Sequence, residues 1–289
     1  MIVLMTGGSG CVGQALSREL AQAGHDVVLA GRTAGHVSRD RFVACDLATP
    51  FDCAAFPVRV DAVIHLAQSR QYRDFPRSAA DVFAINVAAS QRLADYALKA
   101  GATSFLYAST GSVYFPAANP VSEVATTSGS SFYAASKLAA ELIVAGYASA
   151  LAVGILRLFY VFGPGQSKML IDGLYDRIRQ GNHVTLQGDG GIRVTPTFSS
   201  DVARVFQAAA EQAWTGIFNV ASPQIYTLRQ IAEEIGNVVD VAPKFEQLDG
   251  QRPLTALPQL DKLAAVFDIK SFTELRRALE LTFSGSEPR

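Results

Sequence analysis

The apolar run Ile-Val-Leu-Met-Thr at residues 2–6 passes without a break into Gly7-Gly8-Ser9-Gly10-Cys11-Val12-Gly13 and then into a helix-period segment. Few folds accept that order. A first glycine permits the tight turn out of a strand, a second lets backbone approach a pyrophosphate, and a third allows close helix packing, with the helix N-terminus facing the phosphates. Gly7, Gly10 and Gly13 occupy those places and point to a dinucleotide-binding unit. The rest of the chain continues the alternation. Apolar runs at 27–30, 42–45, 62–66, 105–108, 152–158 and 217–220 are mostly separated by helical patterns, notably at 12–23, 80–100, 133–149 and 201–213. Near-continuous apolar strands divided by helices predict an α/β fold with a doubly wound parallel sheet covered on both faces.

After Gly163-Pro164-Gly165 the regularity changes. A helix is expected around 168–180, a short strand at 184–186 and a loop at Gly188-Asp189-Gly190-Gly191, before the chain returns through 195–200. It leaves again after Ala221, with helices expected at 228–235 and around 272–283. The predicted division is a dinucleotide-binding domain, residues 1–165 plus 195–221, and a small discontinuous C-terminal substrate-binding domain, residues 166–194 plus 222–289. The second would lie over the C-terminal strand edges, where open α/β sheets bind ligands.

At 289 residues and 49% hydrophobic composition the chain can bury such a core. A net charge of -1 gives no electrostatic reason to expect nucleic acid or an anionic membrane as partner. Cys11, Cys45 and Cys53 are odd in number and lack metal-ligand spacing, so no metal is expected and a reducing compartment suits them. Cys11 reads as a small packed thiol. The first residues lack the features of a signal peptide, and the uncharged stretch 142–156 is too short to span a bilayer, so no membrane association and a cytoplasmic location are expected.

Tyr133-Ala134-Ala135-Ser136-Lys137 puts a phenol and an ammonium four residues apart, on one face of a helix. A neighbouring positive charge favours the phenolate, which suits Tyr133 to proton transfer; on an ordinary helix the same spacing is a solvated face. The second strand ends Leu29-Ala30-Gly31-Arg32 with no carboxylate for an adenosine ribose. Arg32 would pair with a 2'-phosphate and Gly31 would leave it room, so NADP(H) is favoured, with NAD(H) possible.

Taken in order, these motifs resemble the extended short-chain dehydrogenase/reductase family, also called the NAD-dependent epimerase/dehydratase family, in its nucleotide-sugar-modifying branch. The resemblance covers nearly the whole chain. Its further segments are Asp46-Leu47, His65-Leu66-Ala67, Asn86, Ser109-Thr110-Gly111-Ser112-Val113-Tyr114 and Arg157 through Gly165. It implies a Rossmann-type sheet, with Thr110, Tyr133 and Lys137 as the catalytic set. It places Gly7, Gly10, Cys11, Val12, Gly13, Arg32, Asp46, Leu47, Leu66, Ala67, Asn86, Tyr133, Lys137 and Tyr160 toward the cofactor. Thr110, Tyr133, Arg193 and Arg252 would face a nucleotide-diphosphate sugar, the two arginines clamping its diphosphate. Bland readings stand beside these: Asp46 as a helix cap, His65 as a packed strand-end residue, Ser109 as neighbour or substitute of Thr110.

Dehydratases of the family usually follow the catalytic threonine with Asp-Glu, whereas this chain has Gly111-Ser112, which disfavours a dehydratase. The reading leans to an NADPH-dependent 4-keto sugar reductase. A nucleotide-sugar 4-epimerase of the UDP-glucose 4-epimerase kind, with retained cofactor, is the alternative. A catalytically silent NADP(H)-binding scaffold or sensor is the alternative of another class. The family also implies a homodimer through the helix carrying Tyr133. Val194-Thr195-Pro196 after Arg193, and Tyr160 at a position often held by asparagine, depart from the family's pattern near the sugar.

Overall fold

All seven apolar runs become strands of one parallel sheet, because segments buried on both faces, as all but the half-exposed edge strand at 42–44 are, can satisfy their backbone groups only by pairing with one another. The computed structural model describes residues 1–34, 42–114, 116–117, 120–251 and 253–283. The first half runs β1 (Ile2–Thr6), α1 (Cys11–Gln22), β2 (Asp26–Gly31), β3 (Phe42–Ala44), β4 (Ala62–His65), α2 (Ala79–Phe83), α3 (Ala89–Lys99), β5 (Ser104–Thr110), α4 (Phe132–Ala145) and β6 (Ala152–Leu158). Then follow β7 (Val161–Phe162), α5 (Leu170–Arg179), β8 (His183–Gln187), β9 (Arg193–Val194), β10 (Thr197–Phe198), α6 (Ser199–Glu211) and β11 (Gly216–Val220). The chain ends with β12 (Tyr226–Thr227), α7 (Leu228–Val239), β13 (Lys244–Leu248), α8 (Asp261–Ala264) and α9 (Leu275–Phe283).

The seven-stranded sheet has the order β11-β6-β5-β4-β1-β2-β3, and its pairings are parallel. Strand order reverses between β1 and β4. The crevice at their C-terminal ends is therefore the topological switch point, where ligands of such sheets bind.

Side-chain alternation splits the core in two. Val3 and Met5 of β1 face α1 and α6, with Leu16, Leu20, Val202 and Phe206. Leu4 faces the other layer, where Leu93 and Ala97 of α3 and Ala140 and Val144 of α4 meet Val63, Phe105 and Ile155. Leu16, Leu20 and Phe206 are fully buried, each worth roughly 1.5–3 kcal/mol of apolar transfer. A third cluster joins Ile171, Leu174 and Ile178 of α5 to Val184 and Leu186 of β8, Ile231 and Ile235 of α7, and Leu279 of α9.

Three local features depart from the periodicity. The helix expected over 80–100 is α2, a π-helical turn at Ala84–Ala88, and α3; the wider turn re-aims one residue of an otherwise regular helix, and the polar residue inside it, Asn86, is fully buried. β13, whose side chains are mostly exposed, pairs in parallel with β8, so its pattern carries little apolar signal. The helix expected from about residue 272 starts at Leu275. Among the described residues no helix is long and apolar enough to cross a membrane, and no group of three His, Cys, Asp or Glu could hold a metal ion.

Candidate active site

The turn from β1 into α1 is shaped by contacts that exclude side chains. Gly7 has φ +78°, and a Cβ there would lie 2.7 Å from the Ala67 nitrogen and 2.8 Å from the Leu66 carbonyl carbon. A Cβ at Gly13 would collide with the Gly7 carbonyl oxygen and stand 2.7 Å from Gly8 Cα. The Gly10 N–H donates to the Gly7 carbonyl at 3.0 Å, while a Cβ at Gly10 would meet only that oxygen, at 3.4 Å. Gly10 is also the N-cap of α1 and brings no side-chain cap, so the first N–H groups of the helix face outward as donors for an anion. The cradle fits a dinucleotide pyrophosphate. Cys11 opens the helix with its thiol pushed up to about 11 by burial, a neutral packed group.

Most other positions expected toward the cofactor lie in α1 or just beyond the ends of β2, β3 and β4. Val12 and Leu66 pack against one core layer and Ala67 against the other. Leu47 is buried, and Asp46 Oδ1 accepts from the Ala48 N–H at 3.0 Å, capping its own turn. Arg32 is exposed just beyond β2. His65 is fully buried, with Nδ1 2.7 Å from Thr6 Oγ1; burial, followed by the charge of Lys137, pulls it down to about 3, so it is a neutral packed imidazole.

Thr110 ends β5 and caps the short 3-10 turn Gly111–Val113, its Oγ1 accepting from the Ser112 N–H at 3.1 Å. Adjacent strand residues face opposite ways. Ser109 accordingly points to the α4 layer and donates to the Glu141 carboxylate, which removes it as a substitute for Thr110. Gly111 has a reason of its own: a Cβ there would run into the Phe159 ring, 2.7 Å from Cζ.

Tyr133 lies in the first turn of α4, which Ser131 caps by accepting from the Ala134 N–H at 3.1 Å. Its hydroxyl donates to Gln68 Oε1 at 2.8 Å, and its ring lies 4.6 Å from that of Tyr72. Burial raises the phenol above the ordinary tyrosine value, opposed by a hydrogen bond with Thr110 and reinforced by Tyr72. The lowering expected from Lys137 is not among these influences. Lys137 is buried, donates to the Ala108 carbonyl at 2.7 Å and stands 4.7 Å from the centre of the Tyr107 ring. Burial pulls its ammonium from 10.5 down to about 7, against the charge of Glu141.

A polar network beneath α4 was not read from the sequence. Arg157 Nη2 meets Glu141 Oε2 at 2.6 Å, and its Nη1 donates to the Tyr114 hydroxyl at 2.8 Å. Tyr114 donates onward to Asn219 Oδ1 at 2.8 Å. Asn86 is equally committed: its Oδ1 accepts from the Ser69 N–H at 3.0 Å and its Nδ2 donates to Ser136 Oγ at 2.9 Å.

Tyr160, expected toward the cofactor, takes a left-handed φ of 43°, a strained conformation for a non-glycine residue. Arg193 is exposed in β9, which pairs with β12. Arg252 lies outside the described residues.

The chain belongs to the NAD dependent epimerase/dehydratase family, whose model matches residues 3–221. The expected resemblance, the Rossmann-type fold and an enzyme of the short-chain dehydrogenase/reductase type are thereby borne out. It is 27% identical over 262 residues to UDP-N-acetyl-alpha-D-glucosaminuronate decarboxylase of Bacillus cytotoxicus, covering 84% of this chain and 81% of that protein. Three further curated relatives, at 26–31% identity, are matched over 59–63% of their own length, less than two thirds. The structure of MoeE5 in complex with UDP-glucose and NAD is similar with a TM-score of 0.84 and 26% identity, over 98% of both chains. UDP-glucuronic acid 4-epimerase from Bacillus cereus, in complex with UDP-glucuronic acid and NAD, shares the fold with a TM-score of 0.86 at 22% identity, over 98% of both chains.

Proposed function

We propose that this family member performs NAD-dependent hydride transfer at a sugar carbinol carbon of a nucleoside-diphosphate sugar, and that the net reaction is a 4-epimerisation. The observation that carries this reading is the placement of the Thr110 hydroxyl at the C-terminal end of β5 and of the Tyr133 phenol in the first turn of α4, with Lys137 on the same helix face. The glycine cradle at the switch point supports a dinucleotide beside them. A bound nicotinamide dinucleotide supplies the acceptor and later the donor of the hydride. Once the positive charge of an oxidised nicotinamide beside it has favoured the phenolate, its own proton passing to solvent, Tyr133 takes the proton of the reacting hydroxyl and returns it after the keto sugar has presented its other face; Thr110 donates a hydrogen bond to the same oxygen. Lys137, with its ammonium drawn toward neutrality, holds the ribose side of the cofactor.

Epimerisation is preferred to the reductase reading because the relatives support it better. MoeE5, 26% identical, has a structure in complex with UDP-glucose and NAD, and the family is described as NAD dependent epimerase/dehydratase. NAD is accordingly the proposed cofactor, and NADPH-dependent reduction, suggested by Arg32, becomes the second reading. The Phe159 ring filling the space beside Gly111 argues further against an added carboxylate at that position and hence against dehydration. Segments 166–194 and 222–289 are taken as the unit that receives the nucleotide, with Arg193 and Arg252 as its diphosphate contacts. A homodimer would use the outer face of α4, where Leu142 is 71% exposed.

The test is incubation of the purified chain with NAD and UDP-glucose or UDP-glucuronic acid, followed by sugar NMR. The 4-epimer should form without net NADH release, and Tyr133→Phe should slow it roughly 10²–10⁴-fold. Net NADPH consumption on a 4-keto sugar would select the reductase. Cofactor binding with no turnover of any nucleotide sugar, unchanged in Tyr133→Phe, would leave a binding scaffold.

A further inference from the structure

Gln68 follows His65-Leu66-Ala67 at the end of β4 and has no part in the chemistry above. Its Oε1 nevertheless accepts the hydrogen bond of the Tyr133 hydroxyl, at 2.8 Å. The loop that presents it is anchored on both sides. Ser69 is fully buried; its N–H donates to Asn86 Oδ1 at 3.0 Å and its hydroxyl donates to Asp81. Asn86 donates to Ser136 Oγ at 2.9 Å, and Ser136 donates to the Tyr133 carbonyl at 2.8 Å. The residue after Gln68 and the backbone of Tyr133 are therefore tied by one chain of hydrogen bonds through Asn86. On the far side the Tyr72 ring packs 4.6 Å from that of Tyr133. The Tyr72 hydroxyl donates to Met169 Sδ at 3.5 Å and Arg73 donates to the Lys168 carbonyl at 2.8 Å. Gln68 is brought to the phenol by the fold.

We propose that Gln68 is a positioning residue for Tyr133: its amide carbonyl holds the phenol's proton and aims the hydroxyl at the loop after β4 until a substrate oxygen takes the amide's place. This rests on the function proposed above. A carbonyl can accept only from the neutral phenol, so until cofactor and substrate bind the contact holds the phenol protonated, in the same direction as burial and against the Thr110 bond. The other groups facing the phenol are Tyr72, with Arg73 5.4 Å from its ring centre, Tyr107 and Thr110 from β5, and Lys137 from α4 itself. Removing the carbonyl and replacing it by a carboxylate should therefore move the phenol in opposite directions, which a merely structural role would not do.

The experiment places a polyfluorinated tyrosine, ionising in the neutral range, at position 133 of the full chain and follows its absorbance against pH, with and without NAD. Relative to Gln68, the transition should fall by about 0.5–1 pH unit in Gln68→Leu, the worth of one neutral hydrogen bond. It should rise by about 1 unit or more in Gln68→Glu, where a carboxylate stands beside the phenol. Gln68→Asn, whose shorter side chain withdraws the carbonyl, should behave as Gln68→Leu and replaces it should that variant misfold. No movement, or movement of both variants in one direction, overturns the assignment. The readout needs no turnover, so opposed shifts in a chain that epimerises no sugar would keep the role of Gln68 and reject the proposed function.

Discussion

Glu141→Gln is the perturbation whose consequences the structure defines most fully. Both Glu141 and Arg157 are buried, the side chains only 3% exposed, and the guanidinium meets the carboxylate through Nη2 at 2.6 Å and Nε at 3.0 Å. Neutralising the carboxylate leaves Arg157 charged in the interior with the Tyr114 hydroxyl and the Glu123 carbonyl as its further partners among the described residues. Breaking one side of such a pair costs roughly 3–5 kcal/mol. With an unfolding entropy of about 2.1 cal/mol/K per residue, that loss lowers the melting temperature of a chain this size by roughly 5–8 °C. Thermal and urea unfolding followed by circular dichroism measure it. Glu141→Leu/Arg157→Met, which removes both charges, should recover much of the loss. There is also a functional limb. Glu141 lies one turn after Lys137 and supports its ammonium against burial, so Glu141→Gln should push the Lys137 transition below about 7. The activity limb that depends on the ammonium should then move to lower pH. A loss under ~1 kcal/mol, or a double variant as unstable as the two single losses combined, would refute the reasoning.

Other outcomes follow from single contacts. Between about 7 and 10.5 the unfolded chain binds a proton that folded Lys137 does not, so stability rises with pH across that window. The wild type should gain on Lys137→Met by about 1.4 kcal/mol per pH unit there, with no further change below it; a pH-independent difference in paired urea titrations would contradict the burial. Gly13→Ala should cost ~1–3 kcal/mol and at least about tenfold in dinucleotide affinity, because its Cβ meets the Gly7 carbonyl. Gly31→Ala, with nothing within 4 Å of its Cβ, should leave stability unchanged. Calorimetry of Arg32→Ala should show NADP(H) binding weakened by about 1.5–3 kcal/mol and NAD(H) spared; equal loss for both would remove Arg32 from cofactor choice.

Local information was sufficient for the elements themselves. Strand burial, helix period and the turn after β1 are properties of short stretches, so the seven strands and the glycine cradle were legible from residues 2–220. The four-residue spacing placed Tyr133 and Lys137 on one helix face for the same reason. β13 was not legible, because an exposed strand is stabilised by its pairing with β8 rather than by a pattern of its own.

Partnership is what the amino-acid order leaves open, since a polar side chain takes its role from whichever group the fold brings within about 3 Å of it. Ser109 and Thr110 are chemically alike neighbours, yet one serves Glu141 and the other Tyr133, at different turns of the same helix α4. Asn86 needed a π turn to reach both Ser69 and Ser136. Gln68, a polar residue at a strand end, carried a weak signal of position and none of purpose. The sequence determined which backbone cradle and which acid/base pair this protein has; the tertiary structure decided what each polar group touches, because those contacts join segments 16 to 105 residues apart.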